Sequence, residues 1–145
     1  MPIFATQSRN ELRHMYFEAW RKRREQLPAS PLETQIADIV ELHPEYHALF
    51  NDPALVDKDW TPEGGATNPF LHMGLHLAVR DQIATDRPAG IREAHRALLS
   101  NSDNSHDAEH RIIECLAEAL WTAQRNGVAP DEKAYLENVK RLSHR

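Results

Sequence analysis

The chain has 145 residues, 41% of them hydrophobic and 27% charged, with a formal net charge of −5 and a pI near 6.0. Those values describe one ordinary soluble globular domain, residues 1–145, large enough to bury roughly 68–70% of its unfolded surface. They exclude a general nucleic-acid binder, which needs a basic face to displace counterions, and no run approaches the ~20 apolar residues of a membrane span.

The N-terminus, Met1-Pro2-Ile3-Phe4-Ala5, lacks the charged and apolar regions of a signal peptide. Ser8-Arg9-Asn10-Glu11 reads as a capping box that opens a helix to about Leu27. Its apolar stripe is Leu12, Met15, Tyr16, Ala19 and Trp20, and the basic run Arg21–Arg24 is a solvated helix end. Ser30-Pro31-Leu32-Glu33 repeats the start signal for a helix to about Leu42, and Pro44 implies a kink or restart after it.

Residues 51–67 read as one long polar loop. Asn68-Pro69 starts the next helix. A short helix follows from about Pro88 to Leu99, then a long one from Asn104 or Ser105 to Gly127, then a last one from Pro130. No alternating β pattern occurs. The expected fold is all-α, a single-domain bundle of about five to six helices with one long loop at about 51–67.

Histidine spacing carries the functional signal. Nine histidines include three pairs four residues apart, His43/His47, His72/His76 and His106/His110. Random placement would give roughly one half of such a pair, so the excess is several-fold. On a helical wheel Leu71, Leu75, Ala78, Val79 and Ile83 form a buried stripe with His72 and His76 at its edge. In the long helix the stripe is Ile113, Leu116, Ala117, Leu120 and Trp121, with His106 and His110 in its first turns. Glu109 and Glu114 border that stripe, while Cys115 falls on the opposite face and reads as an inert thiol. Trp121, like Tyr16 and Trp20, is expected in the core.

Imidazoles pointing inward from two helices suit a divalent metal, with zinc, iron or nickel all compatible with nitrogen and carboxylate ligands. The expected core of the site is His72, His76, His106 and His110, with His43, His47, Glu109 and Glu114 as further ligands or as groups that orient the ligands. His95 reads as a packed hydrogen bonder, His14 lies on a polar face and His144 in the tail. His106-Asp107-Ala108-Glu109-His110 fits H-x-x-E-H literally, making Glu109 or Glu114 general-base candidates in a metal-dependent hydrolase. Only 35 residues follow His110, little room for the further ligand and cleft that such peptidases use. The Glu-x-x-His pairs of ferritin-like di-iron bundles are absent.

A metal-free alternative uses the same residues. There the histidines knit helix starts to the loop through Glu45, Asp57 or Asp59, and the protein acts as an interaction module with an unknown protein or small-molecule partner. Homo-oligomerisation is compatible with either reading. Whether the chain is an enzyme is left open by the sequence.

The blocks FEAWRKRR (Phe17–Arg24), HPEYH (His43–His47), TNPFLHMGLHLAVRDQ (Thr67–Gln82) and ECLAEALWTAQRNG (Glu114–Gly127) resemble the proteobacterial family catalogued as domain of unknown function 1841. The resemblance implies a small bacterial cytoplasmic helical protein and carries no established activity. A lone cysteine, unable to form an internal disulfide, agrees with a cytoplasmic setting.

Overall fold

The computed structural model describes residues 2–57 and 68–144, with side chains from residue 11 onward except that of the expected acceptor Asp57, which lies outside the described set. Among the described residues it is all-α: seven α-helices and two 3-10 turns, with no strand. The helices are α1 (Pro2–Arg24), α2 (Pro31–Glu41), α3 (His47–Phe50), α4 (Pro69–Thr85), α5 (Ile91–Leu99), α6 (Ser105–Asn126) and α7 (Glu132–Leu142). The chain divides into two compact units, residues 1–73 and 74–145, and α4 has its first turn in the former and the remainder in the latter.

In the first unit α1 begins at Pro2, ahead of the expected start at Ser8, whose side chain lies outside the described set. The capping box at Ser30 does form: the Ser30 hydroxyl accepts from Glu33 N–H and the Glu33 carboxylate accepts from Ser30 N–H. The basic end of α1 is tied to acids. Lys22 reaches Glu33 at 2.9 Å, and Arg23 reaches Asp38 and Glu41 at 2.7 and 3.2 Å.

Tyr16, Phe17 and Trp20 bury the inner face of α1 beside Ile36, Ile39 and Val40 of α2, Phe50 and Phe70. Arg13 sits within this apolar set, 6% exposed. Its guanidinium lies 4.5 Å from the Phe70 ring centre and donates to the Val56 carbonyl at 2.8 Å. That carbonyl belongs to a 3-10 turn, Pro53–Asp57, so the segment expected as loop is ordered over its first part. Residues 58–67 lie outside the described residues.

The second unit is built on Val79 of α4, Ile91, Ala94 and Leu98 of α5, Ala108, Ile112 and Leu116 of α6, and Tyr135, Val139 and Leu142 of α7. Three residues hold helix ends. Asn104 accepts from Asp107 N–H, Asp131 accepts from Ala134 N–H, and Gly127 closes α6 in the left-handed region at φ 65°. Arg111 of α6 donates to the Leu142 carbonyl at 3.1 Å and to Ser102 at 3.2 Å, joining α6 to the end of α7 and the turn after α5.

The expected apolar stripes are rotated about their axes. Leu12, Leu71, Leu120 and Trp121 are exposed, Leu71 and Trp121 at 62% and 60%. Cys115, expected on the polar face, is buried. The buried line of α6 is Ala108, Glu109, Ile112, Ile113, Cys115 and Leu116. The reason is that "apolar inside" runs one way only: buried faces exclude most charges, but exposed faces admit large apolar groups freely.

Ile112 and Trp121 therefore separate the two assignments. Ile112→Ala is expected to cost about 2–5 kcal/mol and Trp121→Ala within about 0.5 kcal/mol, measured by urea unfolding. Equal costs would restore the sequence-based stripe.

A candidate metal centre on helices α4 and α6

The inner line of α4 in the second unit runs through His76 and Val79, both completely buried. Placing an imidazole at the centre of an apolar face requires partners for both ring nitrogens, since an unsatisfied buried polar group costs about 1–3 kcal/mol. Helix α6 brings them. Its first two turns carry His106, Glu109 and His110 on the side toward α4, which the i, i+3, i+4 spacing dictates.

His76 Nδ1 lies 2.5 Å from Glu109 Oε1. Glu109 is itself buried, at 7% exposure. Arg80, one turn after His76 on α4, donates its Nε–H to both carboxylate oxygens at 3.0 and 3.1 Å. Burial pushes the Glu109 carboxyl up, but the His76 hydrogen bond and the Arg80 charge outweigh it and hold the group below the ordinary glutamate value. The carboxylate is thus ionised and accepts only, so the hydrogen between it and His76 belongs to Nδ1. The same charge acts on His95 of α5, whose pKa burial lowers and Glu109 opposes.

On the other side of the His76 ring, its Nε2 faces His110 Nε2 at 3.1 Å. The His76 and His106 rings stack at 5.3 Å and 7°, and His106 meets His110 at 4.1 Å and 52°. One ring nitrogen from each of His76, His106 and His110 lies within 4.8 Å of those of the other two. Two nitrogens on one tetrahedral zinc, bonded at 2.0–2.1 Å, stand about 3.3 Å apart. The His76–His110 separation already has that scale.

The chain's match to known families can now be set beside this geometry. A family model described as Domain of unknown function (DUF1841) matches residues 8–141. The chain belongs to this family. No curated protein and no solved structure matches the chain.

In this DUF1841 protein the candidate residues can be described unit by unit. His76, His106 and His110 are brought together, with Glu109 behind His76. His72 lies in the first unit, its ring edge-on to His43 at 4.8 Å and to Tyr46 at 6.3 Å. His43 is buried there, its Nδ1 2.8 Å from Glu45. Of the acceptors expected in a metal-free cluster, Glu45 thus serves, while Asp59 lies outside the described residues. His47 donates from Nε2 to the Val40 carbonyl at 2.9 Å and stacks on Trp20 at 4.6 Å. Glu114 is exposed and lines a shallow cleft with Arg111, Cys115, Glu118, Asn138 and Arg141. His14 is exposed.

One contributor was hidden from sequence reasoning, and another was visible without its partner. Arg80 carries no motif, and its only signal is its position one turn beyond His76 on the same helix face. Glu109 was visible as a charged residue bordering an apolar stripe, but not as the partner of a histidine 33 positions earlier. Glu109→Ala would strand His76 Nδ1 and Arg80 in a buried setting and is expected to lower stability by about 2–4 kcal/mol. Glu114→Ala should change it by less than about 0.5 kcal/mol. Chemical denaturation of the two variants checks the contrast, and equal effects would remove Glu109 from the framework.

Proposed function

We propose that this protein is a metal-binding helical protein whose second unit holds one divalent ion through His76, His106 and His110. The single observation that carries this reading is the convergence of three imidazoles, two from α6 and one from α4, with a ligand nitrogen of each inside 4.8 Å. A carboxylate behind one of them supports it further, because metal-bound histidines habitually give their second N–H to such a group.

Three neutral imidazoles leave the charge of a divalent ion uncompensated and its coordination incomplete, so the ion would take a small anion or water as well. Zinc, iron and nickel all accept this donor set. Hydrolysis with Glu109 as general base fits less well. Its two oxygens are engaged by Arg80 and His76, and its pKa is held low, the opposite of a base poised near neutrality.

The metal-free interaction module keeps one specific observation in its favour. His110 and His76 face each other at hydrogen-bonding distance, so these two rings can satisfy each other without an ion. Both readings share a cytoplasmic, bacterial setting, in line with a single buried thiol and with the absence, among the described residues, of any helix long and apolar enough to cross a membrane. Neither calls for nucleic acid, because the basic end of α1 is paired with acids.

Elemental analysis of protein purified without an affinity tag should find about one divalent ion per chain, and chelator should lower the melting temperature. His76→Ala, His106→Ala and His110→Ala are expected to lose the ion, whereas His14→Ala and His47→Ala keep it. Absence of stoichiometric metal, with no chelator effect, would leave the metal-free module as the surviving account.

A further inference from the structure

Resting on the metal reading, we infer that Glu109, anchored by Arg80, is a positioning residue that fixes His76 with its hydrogen on Nδ1 and so aims the Nε2 lone pair at the ion. The geometry requires little else. Both Glu109 oxygens accept from Arg80 Nε–H, at 3.0 and 3.1 Å, and Oε1 also lies 2.5 Å from His76 Nδ1. An acceptor-only carboxylate cannot face a bare ring nitrogen at that distance, so Nδ1 is the N–H. In a neutral ring Nε2 then carries the lone pair, and Nε2 is the atom that faces the other histidines.

Arg80 supplies the second constraint. A single hydrogen bond from His76 would leave the carboxylate able to swing about its last torsion. A guanidinium N–H shared by both oxygens fixes that torsion and with it the plane of the imidazole.

The arrangement also sets what the metal-free protein looks like. With the lone pair on His76 Nε2, the hydrogen in the 3.1 Å contact comes from His110 Nε2. To hold an ion beside His76, His110 would have to give up that Nε2 hydrogen and offer the lone pair in its place.

Two readouts test the inference. In metal-free protein, long-range nitrogen–proton correlation spectra of the histidine rings should show His76 with its hydrogen on Nδ1, and Glu109→Gln should move it toward Nε2. Cobalt(II) titration with zinc competition should show affinity falling about 10–100-fold in Glu109→Gln, with the visible bands of the residual complex keeping the wild-type coordination number. Arg80→Met, which touches no histidine, should weaken cobalt binding in the same direction while the circular dichroism spectrum stays helical. A His76 ring with hydrogen on Nε2, or unchanged cobalt affinity in both variants, would overturn the role of Glu109. Wild-type protein that takes up no cobalt overturns the metal reading instead, and the ring spectra of the metal-free protein then decide the positioning role alone.

Discussion

A fully buried imidazole at the centre of an apolar helix face is the constraint from which the second unit is organised. His76 cannot be left with either nitrogen unsatisfied. Its Nδ1 takes in Glu109, a buried carboxylate. That carboxylate brings its own desolvation cost, which Arg80 offsets from the same helix as the histidine. Its Nε2 meets His110, which in turn stands against His106. Each polar group is explained by the one before it, and the sequence ends in a cluster of ring nitrogens rather than in bulk water. A core of aliphatic residues at these positions would be simpler to build, so the polar chain reads as functional rather than as packing.

The first unit uses histidine differently. His47 gives its Nε2–H to a backbone carbonyl and lies flat on Trp20, and His43 is held by Glu45 beside Tyr46. The contacts of His47 are a structural use, the outcome that a histidine on an apolar face more commonly has. A spacing of four is a guide to shared helix faces rather than to shared ligands.

Much of the fold was legible in the residues. Capping at Ser30 and Asn104, the proline starts at Pro31 and Pro69, and the glycine end of α6 follow from local chemistry that tertiary context rarely reverses, whereas α5 and α7 begin at Ile91 and Glu132, a little beyond the prolines expected to open them. The phase of the helices was not legible to the same degree. Helix α4 carries leucine, methionine or valine on nearly every side, so apolar periodicity fixes its orientation poorly, and the stripe through Leu71 was chosen over the one through His76. In α6 the size of Leu120 and Trp121 pulled the expected face away from Ile112 and Cys115. Buried polar residues made this worse. Arg13, His76 and Glu109 all lie on inner faces, and a pattern that counts only apolar residues cannot assign them there. The candidate site was legible as histidine excess and as inward placement on two helices, while the Arg80–Glu109 support depends on a contact across 29 residues that one sequence does not display.

The metal and metal-free accounts are best seen as two occupancies of one arrangement. A hydrogen shared between His76 and His110 and an ion bound by both require nearly the same placement of the rings. What separates them is whether nitrogen donors surround an ion in the purified protein. X-ray absorption at the metal edge measures that directly. The account predicts a first shell containing three imidazole nitrogens, at about 2.0–2.1 Å if the ion is zinc, with the outer-shell scattering that imidazole rings produce. A shell of oxygen atoms alone, without that imidazole signature, would contradict it.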